Sequence, residues 1–240
     1  MNDKTIKVLH LYARDMNIYG DRGNVLTLLR RIQWHGYMPQ LLEYNPGDQF
    51  PTDVDIIVGG GGQDSGQSKI QDDLIAIGPD LRKLADDGTP MLVICGLYQL
   101  FGKFFKTSSG EVITGIGLLD VETFGKSERL IGNIITHSEQ FGDIVGYENH
   151  SGQTYLGHQV ESLGRVRLGA GNNVEDVSEG ARYKNVIGSY LHGSLLPKNP
   201  SIADYLIQQA AVNKYGRFEG NTFDDRISDL ARKAAMKRPR

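Results

Sequence analysis

The chain has 240 residues, a net charge of −3 and a pI of about 6.1. That length suits one α/β domain with a full core, and the charge balance gives no support for a nucleic-acid or acidic-surface partner. The single cysteine, Cys95, cannot close an internal disulfide, and no stretch approaches the roughly 18 apolar residues of a membrane span, so a soluble cytoplasmic protein is expected.

Residues 5–12, TIKVLHLY, are apolar and β-branched and read as a strand. In the following segment Leu26, Leu28, Leu29, Ile32 and Trp34 fall close to helical spacing, and Gly36 is a stop. Residues 38–44 read as a second strand, and residues 53–62 as a third that ends in four glycines. Residues 69–88 have a helical period broken by Gly78-Pro79, which predicts a kinked helix or two short ones. Residues 89–96, TPMLVICG, form an uninterrupted apolar strand of the kind buried on both faces, and LYQLFGKFF after it is helical. Strands alternating with helices predict an α/β fold with a mostly parallel, doubly wound sheet and flanking helices. After residue 110, short runs separated by Gly, Asn and Ser predict an added antiparallel region. Residues 185–193, NVIGSYLHG, read as a late strand. Residues 199–216 read as a helix with Ser201 as N-cap and Gly216 as stop. One domain over residues 1–216 with a C-terminal extension over 217–240 is expected, its basic end (Lys237, Arg238, Arg240) a solvated tail.

Residues 61–68, GGQDSGQS, nearly match the phosphate-binding pattern G-x-x-x-x-G-K-[ST]. Gln67 stands where the lysine should be, so ATP binding is not expected there. The six histidines and one cysteine show no metal-ligand spacing. Cys95 lies at a strand end just before a helix. A strand-to-helix turn there would expose the thiol where open α/β sheets bind ligands, and Gly96 would help the backbone close it. The alternative is a cysteine used only for packing. A thiolate nucleophile needs a base. Among His10, His35, His137, His150, His158 and His192, His192 ends its strand as Cys95 ends its own, with His150 as runner-up. The run Gly59–Gly62 permits close approach to a ligand, and one of its N–H groups could complete an oxyanion hole.

Taken in order, VDIIVGGGGQD, VICGLYQLFG and SYLHG resemble the class I (triad-type) glutamine amidotransferase domain in its CobB/CobQ-like branch. MNIYGDRGN, RLIGNI, IVGYENHSGQTY and LPKN are similar to the glutaminase subunits of lipid II isoglutaminyl synthases within it. The resemblance covers roughly residues 5–215. It implies that Cys95 attacks the glutamine carboxamide and that His192 moves the protons. Backbone N–H groups of Gly60 or Gly61, with those of Gly96 and Leu97, would hold the oxyanion. Arg129 would hold the substrate's α-carboxylate, and Gln99 would line the pocket. It implies no cofactor in this chain. The implied partner is a Mur-ligase-like (MurT-type), ATP-using subunit that takes the ammonia to amidate D-glutamate in the stem peptide of lipid II, during peptidoglycan synthesis. Many class I domains carry His-x-Glu, but here the sequence is His192-Gly193-Ser194. The orienting carboxylate is therefore expected from the partner subunit, or from Glu148 or Glu175. A cysteine hydrolase or peptidase of related fold, or a silent binding module, are the competing expectations.

Overall fold

A computed structural model describes residues 4–239. β1 (Thr5–Leu11), α1 (Arg22–Trp34), β2 (Met38–Tyr44), β3 (Ile56–Gly59), α2 (Asp64–Asp86) and β4 (Met91–Ile94) follow one another as the apolar pattern predicts. Every residue of β3 and β4 is buried, which explains their unbroken apolar runs. A six-residue helix, α3 (Gly96–Phe101), follows Cys95 directly.

The chain then leaves this sheet for a second one, made of β5 (Phe104–Lys106), β6 (Val112–Thr114), β7 (Val121–Ser138), β8 (Gly142–Leu156), β9 (Gly164–Leu168) and β10 (Ser178–Glu179). β7 and β8 form one long antiparallel hairpin rather than the short runs expected. Their glycines do not end the strands, because the register shift between Gly125 and Leu130 absorbs the irregularity within β7. The chain returns through β11 (Ala181–Tyr183) and β12 (Val186–Ser189), then α4 (Leu195–Lys198), α5 (Pro200–Tyr215) and α6 (Arg226–Met236).

The first sheet has the order β11-β12-β4-β3-β1-β2, parallel except for β11. The chain winds outward from β1 to β2, then crosses back to β3 and β4. That reversal puts a crevice outside the carboxyl ends of the central strands, where open α/β sheets bind ligands. β12 runs parallel to β4, with Ser189 opposite Ile94. The segments carrying Cys95 and His192 therefore leave the same edge of the sheet side by side.

Two boundaries differ from expectation. α2 is one helix that starts at Asp64 and runs through Pro79. Proline inside a helix costs about 3 kcal/mol, but Ile70, Leu74, Ile77, Leu81 and Ala85 bury one continuous stripe that holds the helix together. α5 is preceded by Asn199, not Ser201. The Asn199 side chain bonds both the N–H and the C=O of Val145 and the Leu195 carbonyl, so it ties the helix to β8. Gly216 closes α5 in the left-handed conformation with φ 75°. Among the described residues no helix is long and apolar enough to cross a membrane.

Candidate active site

Cys95 occupies the turn between β4 and α3 with φ 51° and ψ −104°, a backbone conformation few non-glycine residues adopt. Bonds on both sides hold it there. Its N–H donates to the Ser189 carbonyl at 2.9 Å, and its carbonyl accepts from Gln99 N–H at 2.9 Å. Gly96 has no alternative, because a Cβ there would lie 2.8 Å from Met16 Cε and 2.9 Å from Gly62 N. The thiol sits at the neck of this turn and is 7% exposed.

His192 lies three residues past the end of β12, where its backbone pairs with Tyr147 of β8. Its imidazole is buried, and its Nδ1 is 3.4 Å from Asp21 Oδ1. The other oxygen of Asp21 accepts the Gly61 N–H at 2.7 Å. A Cβ on Gly61 would lie 2.8 Å from His192 Cε1 and 3.3 Å from Cys95 Cβ, so the two side chains converge over that glycine. Burial disfavours the imidazolium, but charge on Cys95 and the Asp21 carboxylate outweigh it and raise the His192 pKa to about 10.

An orienting carboxylate is thus present within the chain. Asp21 stands beside the expected sources of that carboxylate, a partner subunit, Glu148 or Glu175, as one supplied by this chain at the imidazole. Glu148 accepts the N–H groups of Ala170 and Gly171, and Glu175 accepts the Tyr155 hydroxyl. Asp21 was not singled out from sequence because it lies 171 residues from His192 and precedes a helix, where an aspartate reads as an N-cap. In the structure Asp21 makes no side-chain capping bond, and its carboxylate meets His192 and Gly61 instead.

Contact holds Gly60 to glycine, since a side chain there would strike the Met16 carbonyl, while at Gly59 and Gly62 it would meet the movable side chains of Leu97 and Met16. The Gly61 N–H is engaged by Asp21, so it is not free to bind an oxyanion. Gly62, not Gly60 or Gly61, lines the cavity beside Cys95. Gly96 and Leu97 open α3, with the Leu97 side chain filling the space above Gly59.

That cavity has a volume of about 340 Å³. Cys95, Gln99, Arg129, Tyr19, Asn149 and Asp64 are among its lining residues. Gln99 is buried; it accepts from Gln67 Nε2 at 2.7 Å and donates to the Tyr190 hydroxyl at 3.1 Å. Gln67, at the lysine position of the failed phosphate motif, also donates to the Gly96 carbonyl at 3.0 Å, so it braces the cysteine turn. Arg129 sits in the irregular part of β7. It donates to Asn149 Oδ1 at 2.7 Å and to the Tyr19 hydroxyl at 3.3 Å, both neutral groups. Tyr19 also lays its ring against His192, with centroids 4.8 Å apart. His150 lines the same cavity, but its Nδ1–H donates to the Gly152 carbonyl and its ring stacks on Tyr190. Burial holds its pKa down at about 3, so it stays neutral and is a poor proton acceptor at neutral pH.

The description of the family model matching residues 7–200 is a CobB/CobQ-like glutamine amidotransferase domain. The chain belongs to that family. It is 39% identical over 234 residues to the subunit GatD of lipid II isoglutaminyl synthase (glutamine-hydrolyzing) from Staphylococcus aureus strain N315, covering 97% of this chain and 96% of that one. Identity to the subunit of the same name from Streptococcus pneumoniae is also 39%, over 215 residues, covering 88% and 83% of the two chains. A solved glutamine amidotransferase from Thermotoga maritima superposes with a TM-score of 0.55 at 14% identity, covering 96% and 93%, which shows the shared fold. The chain is a glutamine amidotransferase.

Proposed function

We propose that this chain is the glutaminase subunit of a two-subunit amidotransferase, and that it supplies ammonia to a Mur-ligase-like, ATP-using partner that amidates D-glutamate to D-isoglutamine in lipid II. The observation that carries the reading is the convergence of a backbone-strained Cys95 and the Asp21-linked His192 over Gly61. The near full-length likeness to two subunits named for that synthase supports the acceptor.

In this reading Cys95 Sγ attacks the carboxamide carbon of L-glutamine. The C–S bond forms, and the carbonyl oxygen takes negative charge. The N–H of Gly62, which lines the cavity, with those of Gly96 and Leu97 that open α3, stabilises it in this reading. His192 gives a proton to the departing nitrogen as the C–N bond breaks, and ammonia leaves. Water then attacks the γ-glutamyl thioester, His192 takes its proton, and glutamate departs with the sulfur restored. Asp21 fixes the imidazole tautomer, with the proton on Nδ1 and Nε2 left to the chemistry. Arg129 takes the α-carboxylate bidentately.

The test is nitrogen transfer. The chain is co-purified with a Mur-ligase-like partner and given glutamine labelled with ¹⁵N at the amide, ATP and lipid II. The label is expected in the new amide of the stem peptide, and Cys95→Ala should abolish that transfer while free ammonia still supports it. Label transfer that persists in Cys95→Ala would contradict the reading.

A further inference from the structure

The cavity beside Cys95 is lined by one cationic side chain, Arg129, and one carboxylate, Asp64. The nucleophile Cys95 apart, His150 in its wall stays neutral, and Gln63, Ser65, Asn149 and Ser151 carry no charge. One positive and one negative group suit a zwitterion. L-Glutamine is one: its carboxamide must reach Cys95, its α-carboxylate suits a guanidinium, and its α-ammonium needs an acceptor. Asp64 is exposed at the cavity's edge and opens α2, separated by one residue from the glycine run, whose last member, Gly62, packs against Gly96 of the cysteine turn. Placing an ion-pair acceptor on a long, rigid helix fixes its distance from the nucleophile, which is what positioning a substrate requires.

We propose that Asp64 binds the α-ammonium of the substrate, and that with Arg129 it restricts this site to free α-amino acids. This rests on the glutaminase reading and deepens it. A neutral or singly charged amide lacking the amino group would leave the Asp64 carboxylate without its counter-ion. Sites built around such a group discriminate against analogues that lack the partner. An aspartate in the first turn of a helix is also favourable electrostatically without any ligand. That role alone would change stability but would not distinguish between two substrates, so the test uses a ratio.

The measurement is kcat/KM for L-glutamine and for its desamino analogue, 4-carbamoylbutanoate, with the chain in complex with its ligase partner. Wild type should prefer glutamine. Asp64→Asn should raise KM for glutamine about 10- to 100-fold, the size of a hydrogen bond to a charged group, and leave the analogue nearly unchanged, so the preference collapses. Asp64→Glu should restore part of it. An unchanged preference in Asp64→Asn, or equal losses for both substrates, would overturn the proposal. Calorimetric binding of both ligands to Cys95→Ala protein reads the same ratio without turnover. If glutamine does not bind there, the assignment of Asp64 falls. If it binds with the expected ratio but wild type turns nothing over, the glutaminase reading fails alone.

Discussion

Asp21 divides its carboxylate between two partners, Oδ1 toward His192 Nδ1 at 3.4 Å and Oδ2 on the Gly61 N–H at 2.7 Å. The second bond is the shorter and anchors the group, while the first is longer than a strong charge-assisted bond. Catalytic contacts are often loose before substrate binds. Asp21→Asn should keep the fold and lower glutaminase kcat on the order of 10²- to 10⁴-fold, as expected when the imidazole tautomer is no longer fixed; a steady-state assay beside circular dichroism checks it. The raised pKa of His192 has a definite sign for stability. A histidine whose folded pKa exceeds its ordinary 6.5 stabilises the fold fully below that value, and the contribution disappears as pH rises toward about 10. Cys95→Ala removes a charge that raises it, so an NMR titration should find the His192 pKa lower in that variant than in wild type.

Among the elements, the parallel sheet was legible because β4 and β3 are covered on both faces and so carry unbroken apolar runs. β2 and the αL stop of α5 were readable to the residue, since local pattern and a glycine determined them. The pairing of β12 with β4, which makes Cys95 and His192 neighbours, could be stated from sequence only as a condition. The unbroken α2 and the long β7–β8 hairpin were not legible, because burial against the rest of the molecule overrides Pro79 and the strand glycines. Asp21 and Gln67 were missed for the same kind of reason: their partners are far along the chain, and each sits in a motif that suggests another role. The glycine run tests how tightly these elements meet. Gly61→Ala forces a methyl to within 2.8 Å of His192 Cε1. It should reduce glutaminase activity by about 100-fold, the effect expected of a misplacement near 1 Å. An enzyme with near wild-type kinetics would show that the imidazole is not held as described.

On the scale of the whole molecule, residues after α5 fold back over α1. The buried Arg31 guanidinium bonds Asp204 of α5 at 2.6 and 2.7 Å and Asp225 before α6 at 2.7 Å, with the Phe223 ring 4.5 Å away. His35, at the C-cap of α1, bonds Asp204 and the Asn221 carbonyl in the same cluster. Arg31→Ala would leave two carboxylates facing each other without their cation. Because both are about a third exposed, the loss should be about 2 kcal/mol, below that of a fully buried pair. A melting curve lowered by several degrees would agree with this, and an unchanged one would show that the extension adds nothing to the fold. The central claim remains chemical: one cysteine, presented by the sheet and served by a histidine of the same chain, takes the acyl group of glutamine. Acid-quenched intact-protein mass spectrometry after rapid mixing with L-glutamine, in the presence of the ligase partner, addresses it most directly. A single γ-glutamyl adduct that peptide mapping places on Cys95 is the predicted result. Glutamate formation by Cys95→Ala, or an adduct on any other residue, would contradict it.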